Sequence, residues 1–149
     1  MSVDKLRISP TKYTPEINLS PDGMIIIRGR SMVSEMTEFF KQTDEWIDKY
    51  ICNPAEITCV DFHLEYLPTS NIKFYISLLS KIISIQLQNK KLIINWFYDE
   101  DDEDILEKGE YISTILNIPF NFIAISVPDT INIQTSFITD FDINSINKN

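Results

Sequence analysis

The spacing of apolar side chains changes period several times along the chain, and each change marks an element. Ile17 and Leu19 alternate with polar neighbours, whereas Ile25, Ile26 and Ile27 form a continuous β-branched run. Between them stands Pro21-Asp22-Gly23, a fixed φ followed by a permissive residue, which is turn chemistry. Residues 16–20 and 24–29 therefore read as a β-hairpin whose second strand lies inside a sheet. From Ser34 the spacing becomes three and four, through Met36, Phe39, Phe40, Thr43, Ile47, Tyr50 and Ile51. Glu35, Glu38, Lys41, Asp44 and Asp48 fall largely on the opposite side. That pattern predicts an amphipathic helix over 34–51, capped by Ser34 and closed before Asn53-Pro54.

Strict alternation returns at 57–66, where Val60, Phe62, Leu64 and Tyr66 interleave with Cys59, Asp61, His63 and Glu65. This is a strand. Pro68-Thr69-Ser70-Asn71 breaks it and offers several helix-capping side chains. The helix predicted over 72–88 is apolar around most of its circumference, which places it between the sheet and a neighbouring helix. Residues 92–98 form a further apolar strand, the carboxylates of 99–104 precede a helix over 103–116, and Pro119 separates it from a last core strand at 120–125. The order β-β-α-β-α-β-α-β predicts one α/β domain: a mixed sheet with an N-terminal β-hairpin, parallel crossovers and helices packed on it. After Val127-Pro128 the composition shifts to Ile, Asn, Ser, Thr and Asp. The chain thus divides into a domain at 1–126 and an extension at 127–149 to which the sequence assigns no role.

Composition narrows the function. An apolar fraction of 44% over 149 residues is enough for a folded core. Three glycines, and neither a G-x-G-x-x-G nor a G-x-x-x-x-G-K-[ST] string, count against a nucleotide loop. A net charge of −9 opposes binding to nucleic acid or to an acidic membrane surface. The first residues carry no apolar h-region, and Lys73, Ser77, Ser80, Lys81 and Ser84 interrupt the longest apolar stretch. Neither a signal peptide nor a membrane span is expected. Cys52 and Cys59 are too far apart for a C-x-x-C site and read as reduced, partly buried thiols of a cytoplasmic protein.

Several strings, in order and spacing, resemble one family. Thr14-Pro15-Glu16-Ile17 precedes the hairpin and Gly29-Arg30-Ser31 ends it. Tyr66-Leu67-Pro68-Thr69-Ser70-Asn71-Ile72-Lys73 joins strand to helix, and Trp96-Phe97-Tyr98 with the acidic run through Asp104 closes the next strand, followed by Gly109-Glu110. Over residues 6 to 125 these resemble the SiaC family of bacterial regulatory phosphoproteins, whose fold is similar to the STAS domain of anti-sigma-factor antagonists. The resemblance implies a phospho-switched adaptor with no catalysis or cofactor of its own. A Ser/Thr kinase related to anti-sigma factors adds a phosphate, a PP2C-type phosphatase removes it, and the unphosphorylated form binds and activates a diguanylate cyclase in cyclic-di-GMP and biofilm signalling. By position the acceptor is Thr69, with Ser70 a weaker candidate. Tyr66, Ser70, Asn71 and Lys73 are then the switch and partner-binding residues. Pro68 stands where the family has Asn, Asn71 where it has Ser, and Met32-Val33-Ser34-Glu35 replaces a Y-P-E-N-like string.

Each feature also has a plainer explanation. At a helix start Thr69, Ser70 and Asn71 are ordinary capping residues. A phosphate there is equally well placed, facing free amides and the helix dipole. The acidic run lacks the alternating ligands and glycine turn of a calcium loop, and carboxylates before a helix answer its dipole. No metal site is expected. His63, flanked by Asp61 and Glu65, has no nucleophile at a telling spacing and reads as a structural or surface histidine. Two alternatives to the adaptor remain: a structural or oligomeric protein-binding module without a switch, and a small enzyme using acidic residues and His63.

Overall fold

The computed structural model describes residues 3–126; the extension at 127–149 lies outside the described residues. The elements are β1 (Leu6–Ile8), β2 (Glu16–Leu19), β3 (Met24–Arg30), α1 (Met36–Tyr50), β4 (Ile57–Tyr66), α2 (Thr69–Ile83), β5 (Lys91–Asp99), α3 (Glu103–Leu116) and β6 (Asn121–Ile125). They form the mixed α/β domain that the periodicities predict. The six strands stand in the sheet in the order in which they occur in the chain. β1–β2 and β2–β3 are antiparallel; β3–β4, β4–β5 and β5–β6 are parallel.

That order decides where the helices go. Each parallel connection steps one strand further in the same direction, and right-handed crossovers then place every helix on one face. The burial pattern agrees. Ile25, Ile27, Val60, Phe62, Leu64, Ile94 and Trp96 point into the core, while the alternate residues of the same strands stay partly exposed. α2 is the central helix and touches both α1 and α3. Its nearly all-round apolar surface follows from that place. Phe62, Tyr75 and Phe40 meet edge to face between the layers, with ring centroids 5.3 and 5.9 Å apart.

The helix-free face of the sheet carries polar side chains bonded across strands. Glu16 receives Arg7 at 3.2 Å and Arg28 at 3.1 Å, joining β1, β2 and β3. Asn95 donates to Asp61 at 2.8 Å and accepts from Asn121 at 2.9 Å, joining β4, β5 and β6.

Apart from shifts of a residue at several element ends, the structure corrects the expectation at β1, at the start of α1 and at both ends of α2. β1 was not anticipated, because three residues show no period; pairing with β2 makes it a strand. α1 begins at Met36 with Glu35 at its N-cap, and no side chain caps it, so Ser34 does not have the expected role. α2 begins at Thr69 rather than at 72, with Pro68 in extended backbone geometry just before it. It gives way at Ser84–Gln88 to a 3-10 turn, closed by Asn89 in left-handed conformation. In the hairpin turn, Gly23 has φ +109°, and a Cβ there would collide with the carbonyl of Ile57. Only glycine fits at that place.

Candidate functional site

The site begins where β4 ends. Tyr66 closes the strand, Leu67 buries itself completely, and Pro68 sets the extended turn from which α2 starts at once. Proline is suited to such a start, because a first-turn amide has no intrahelical partner to lose. Thr69 and Ser70 thus occupy the first two helical positions and are exposed. No side chain caps this helix. Thr69 is exposed and is not engaged as a cap.

Thr69 stands at one end of a groove of about 500 Å³ between α2 and α3. Ile72, Lys73 and Ile76 continue one wall; Asp104, Glu107, Lys108 and Tyr111 form the other. Lys108 crosses the gap. Its ammonium donates to the Leu67 carbonyl and lies 2.9 Å from Asp104, with its side chain only 18% exposed. Lys73 is exposed, its ammonium 5.4 Å from the centre of the Phe74 ring. Tyr66, 44% exposed, flanks the junction on the strand side.

The structure therefore brings Tyr66, Thr69, Ser70 and Lys73 to one exposed corner, but not Asn71. Asn71 is 2% exposed and points inward, so the expected partner contact is not available to it. Its amide donates to the Ser31 carbonyl at 2.9 Å and to the Ser31 hydroxyl at 3.3 Å. Tyr75 donates to the same hydroxyl at 2.9 Å, and the Ser31 amide donates to the Tyr66 carbonyl at 2.9 Å. These bonds fasten the β3–α1 connection to the start of α2, which fixes the backbone beneath Thr69. Asn71→Ala is expected to cost about 1–3 kcal/mol in urea unfolding, because the buried Ser31 carbonyl loses its donor. An unchanged midpoint would show that the anchor contributes nothing.

The remaining candidates are structural. Asp102 caps α3 by accepting from the Ile105 amide at 3.1 Å, with Glu103 and Asp104 in the first turn, as the dipole favours. Among the described residues no group of three or more His, Cys, Asp or Glu converges as metal ligands. Both cysteines are free; Cys52 is exposed rather than partly buried. Burial, reinforced by Asp61, pushes the Cys59 thiol up to about 11, which makes it a poor nucleophile.

His63 lies on the helix-free face, its Nε2 4.0 Å from Asp99. Burial pushes its pKa below the ordinary 6.5, while Asp99 and Glu65 pull upward without cancelling the effect. The unfolded chain therefore takes a proton at higher pH than the folded one. Its stabilising contribution is full above about pH 6.5 and is lost as pH falls towards the folded value. His63→Gln is expected to reduce the drop in thermal midpoint between about pH 7 and pH 5; an unaltered drop would count against this titration.

Fold and corner together define an α/β domain whose exposed threonine opens a helix beside a charged groove. Comparison with protein families matches residues 8–125 to the SiaC family regulatory phosphoproteins. The chain belongs to that family. It is 26% identical over 116 residues to an uncharacterized protein of Pseudomonas aeruginosa, covering 77% of this chain and 92% of the relative. The crystal structure of apo-SiaC from P. aeruginosa superposes with a TM-score of 0.71 at 24% identity, covering 82% of this chain and 98% of that one. SiaC in complex with the diguanylate cyclase SiaD, of which it is the activator, gives 0.71 at 26% identity, covering 80% and 99%. Among the described residues no helix is long and apolar enough to cross a membrane.

Proposed function

We propose that this chain is a cytoplasmic, non-enzymatic adaptor that activates a diguanylate cyclase until a phosphate on Thr69 releases it. The observation that carries the reading is the position of Thr69: first residue of α2, exposed, and not engaged as a cap. A Ser/Thr kinase related to anti-sigma factors would transfer the γ-phosphoryl group of ATP. The Thr69 Oγ–P bond forms as the bridging bond to the β-phosphate breaks, ADP leaves, and the hydroxyl proton passes to a base of the kinase. A PP2C-type phosphatase returns the hydroxyl and inorganic phosphate by hydrolysis.

Tyr66, Ser70 and Lys73 surround the acceptor and belong to the face the partners read. The test is calorimetric. The unphosphorylated chain is expected to bind the cyclase, and the chain phosphorylated by its kinase is expected to bind far more weakly. Equal affinity of both forms would reduce the protein to a binding module without a switch.

A further inference from the structure

We propose that Lys108, assisted by Lys73, is the receptor for the Thr69 phosphate, and that it leaves Asp104 to take up that role. The inference rests on Thr69 being the phosphorylated residue and adds what happens inside the chain afterwards. Thr69 and Lys73 are one helical turn apart and line the same groove as Lys108. On a helix, residues four apart lie on one face, so the phosphate and the Lys73 ammonium are neighbours.

Lys108 approaches from α3. Its ammonium already reaches across the groove to the Leu67 carbonyl, two residues before Thr69. It is therefore anchored within a short swing of the acceptor. Its present partner, Asp104, is a side chain four residues earlier on the same helix, and that carboxylate is largely exposed. Such an exposed i, i+4 pair is weak and easily exchanged. A phosphate has about twice the charge of a carboxylate and three acceptor oxygens. In a partly buried groove it outcompetes Asp104 for the ammonium.

The charged groups lining the groove are then Lys73 from α2 and Asp104, Glu107 and Lys108 from α3. Before modification the two lysines and two carboxylates balance. Afterwards the groove is strongly negative, and Lys108 links α3 to the phosphorylated start of α2. Phosphorylation on this account both recharges the groove and staples its walls together.

The test uses the full chain with phosphothreonine placed at position 69 during translation, so that no kinase is required. Phosphorus NMR follows the second ionisation of the phosphate against pH. Nearby ammonium groups favour the dianion, so the pKa is expected to lie about half a unit to one unit below that of a phosphorylated 66–73 peptide. Lys108→Met is expected to remove most of that shift, and Lys73→Met a smaller part. Asp104→Asn frees Lys108 and removes a negative neighbour, so it is expected to lower the pKa further. If Lys108→Met does not fold, the sign of the Asp104→Asn change decides. A pKa equal to the peptide's, or one indifferent to Lys108 and Asp104, overturns the proposal. That outcome leaves Thr69 standing as acceptor, whereas failure of a kinase to label Thr69 defeats the functional reading without touching this result.

Discussion

Replacing Thr69 with alanine is expected to abolish phosphate incorporation while leaving the protein folded and able to bind its effector. The first part follows from geometry. A kinase docked on this corner presents one position to its ATP, and Ser70, next on the helix, points about 100° further around the axis. Ser70 is therefore at best a weak substitute. The second part follows from what Thr69 does not do in the folded chain. It caps nothing and is exposed, so its loss is expected to change stability by no more than about 0.5 kcal/mol. A conventional N-cap would cost about 0.5–2 kcal/mol, and that contrast separates the two roles.

Phosphorylated wild type is expected to lose at least about ten-fold in effector affinity, the equivalent of 1.4 kcal/mol. The cause is like charge and desolvation at a contact face, in a chain already at −9. Thr69→Asp is expected to fall between the two states, since a carboxylate has less charge and fewer acceptor oxygens. Intact mass after incubation with ATP and kinase reads the first outcome and calorimetry the second. Undiminished labelling of Thr69→Ala would place the switch elsewhere.

Gly109→Val is expected to be the most damaging single substitution on α3. A Cβ at this position would lie 2.5 Å from Cε2 and Nε1 of Trp96 and 2.7 Å from its Cδ1. The ring cannot easily turn away. It is 1% exposed, and its Nε1 donates to the Ile105 carbonyl at 3.0 Å. Either that bond breaks or α3 lifts off the sheet. Overpacking of this kind costs about 1–3 kcal/mol, and a lost buried hydrogen bond adds to it. We expect a fall of about 3 kcal/mol in urea, read as a lower midpoint at unchanged slope. A midpoint equal to wild type would mean that α3 does not depend on this close approach. The same lifting would carry Lys108 away from Leu67 and open the groove beside Thr69.

Gly109 illustrates how the sequence encodes this fold. As one glycine within a helical pattern it says nothing about its reason; the reason is an indole placed there by β5. The strands and helices themselves were legible because their periods are strong: β4 alternates almost without fault, and α1 separates apolar from charged residues cleanly. β1 was not legible, since three residues carry no period and the segment is held by tertiary bonds such as that from the Trp46 ring nitrogen to the Asp4 carbonyl, 2.6 Å. The exposed junction at Thr69 was readable, since the strand stops there and polar residues begin. Asn71 was misread because a polar side chain at a helix start looks like surface, and its true partner, Ser31, lies in a distant loop. Lys108 gave no signal at all. Its importance arises only when α3 folds back against α2, and a lysine four residues after an aspartate looks like an ordinary helix pair.

The sheet keeps its strands in chain order, and this bears on how the protein is made. Each strand pairs only with the strands next to it in the chain, so no strand waits for a distant partner to be synthesised. Each β–α–β unit can close against the one before it while the chain is still emerging, which keeps loop-closure costs small and folding fast for a sheet with parallel pairs. The junction carrying Thr69 is assembled midway. Its lysine from α3 arrives late, so Thr69 is in place before the groove beside it is complete.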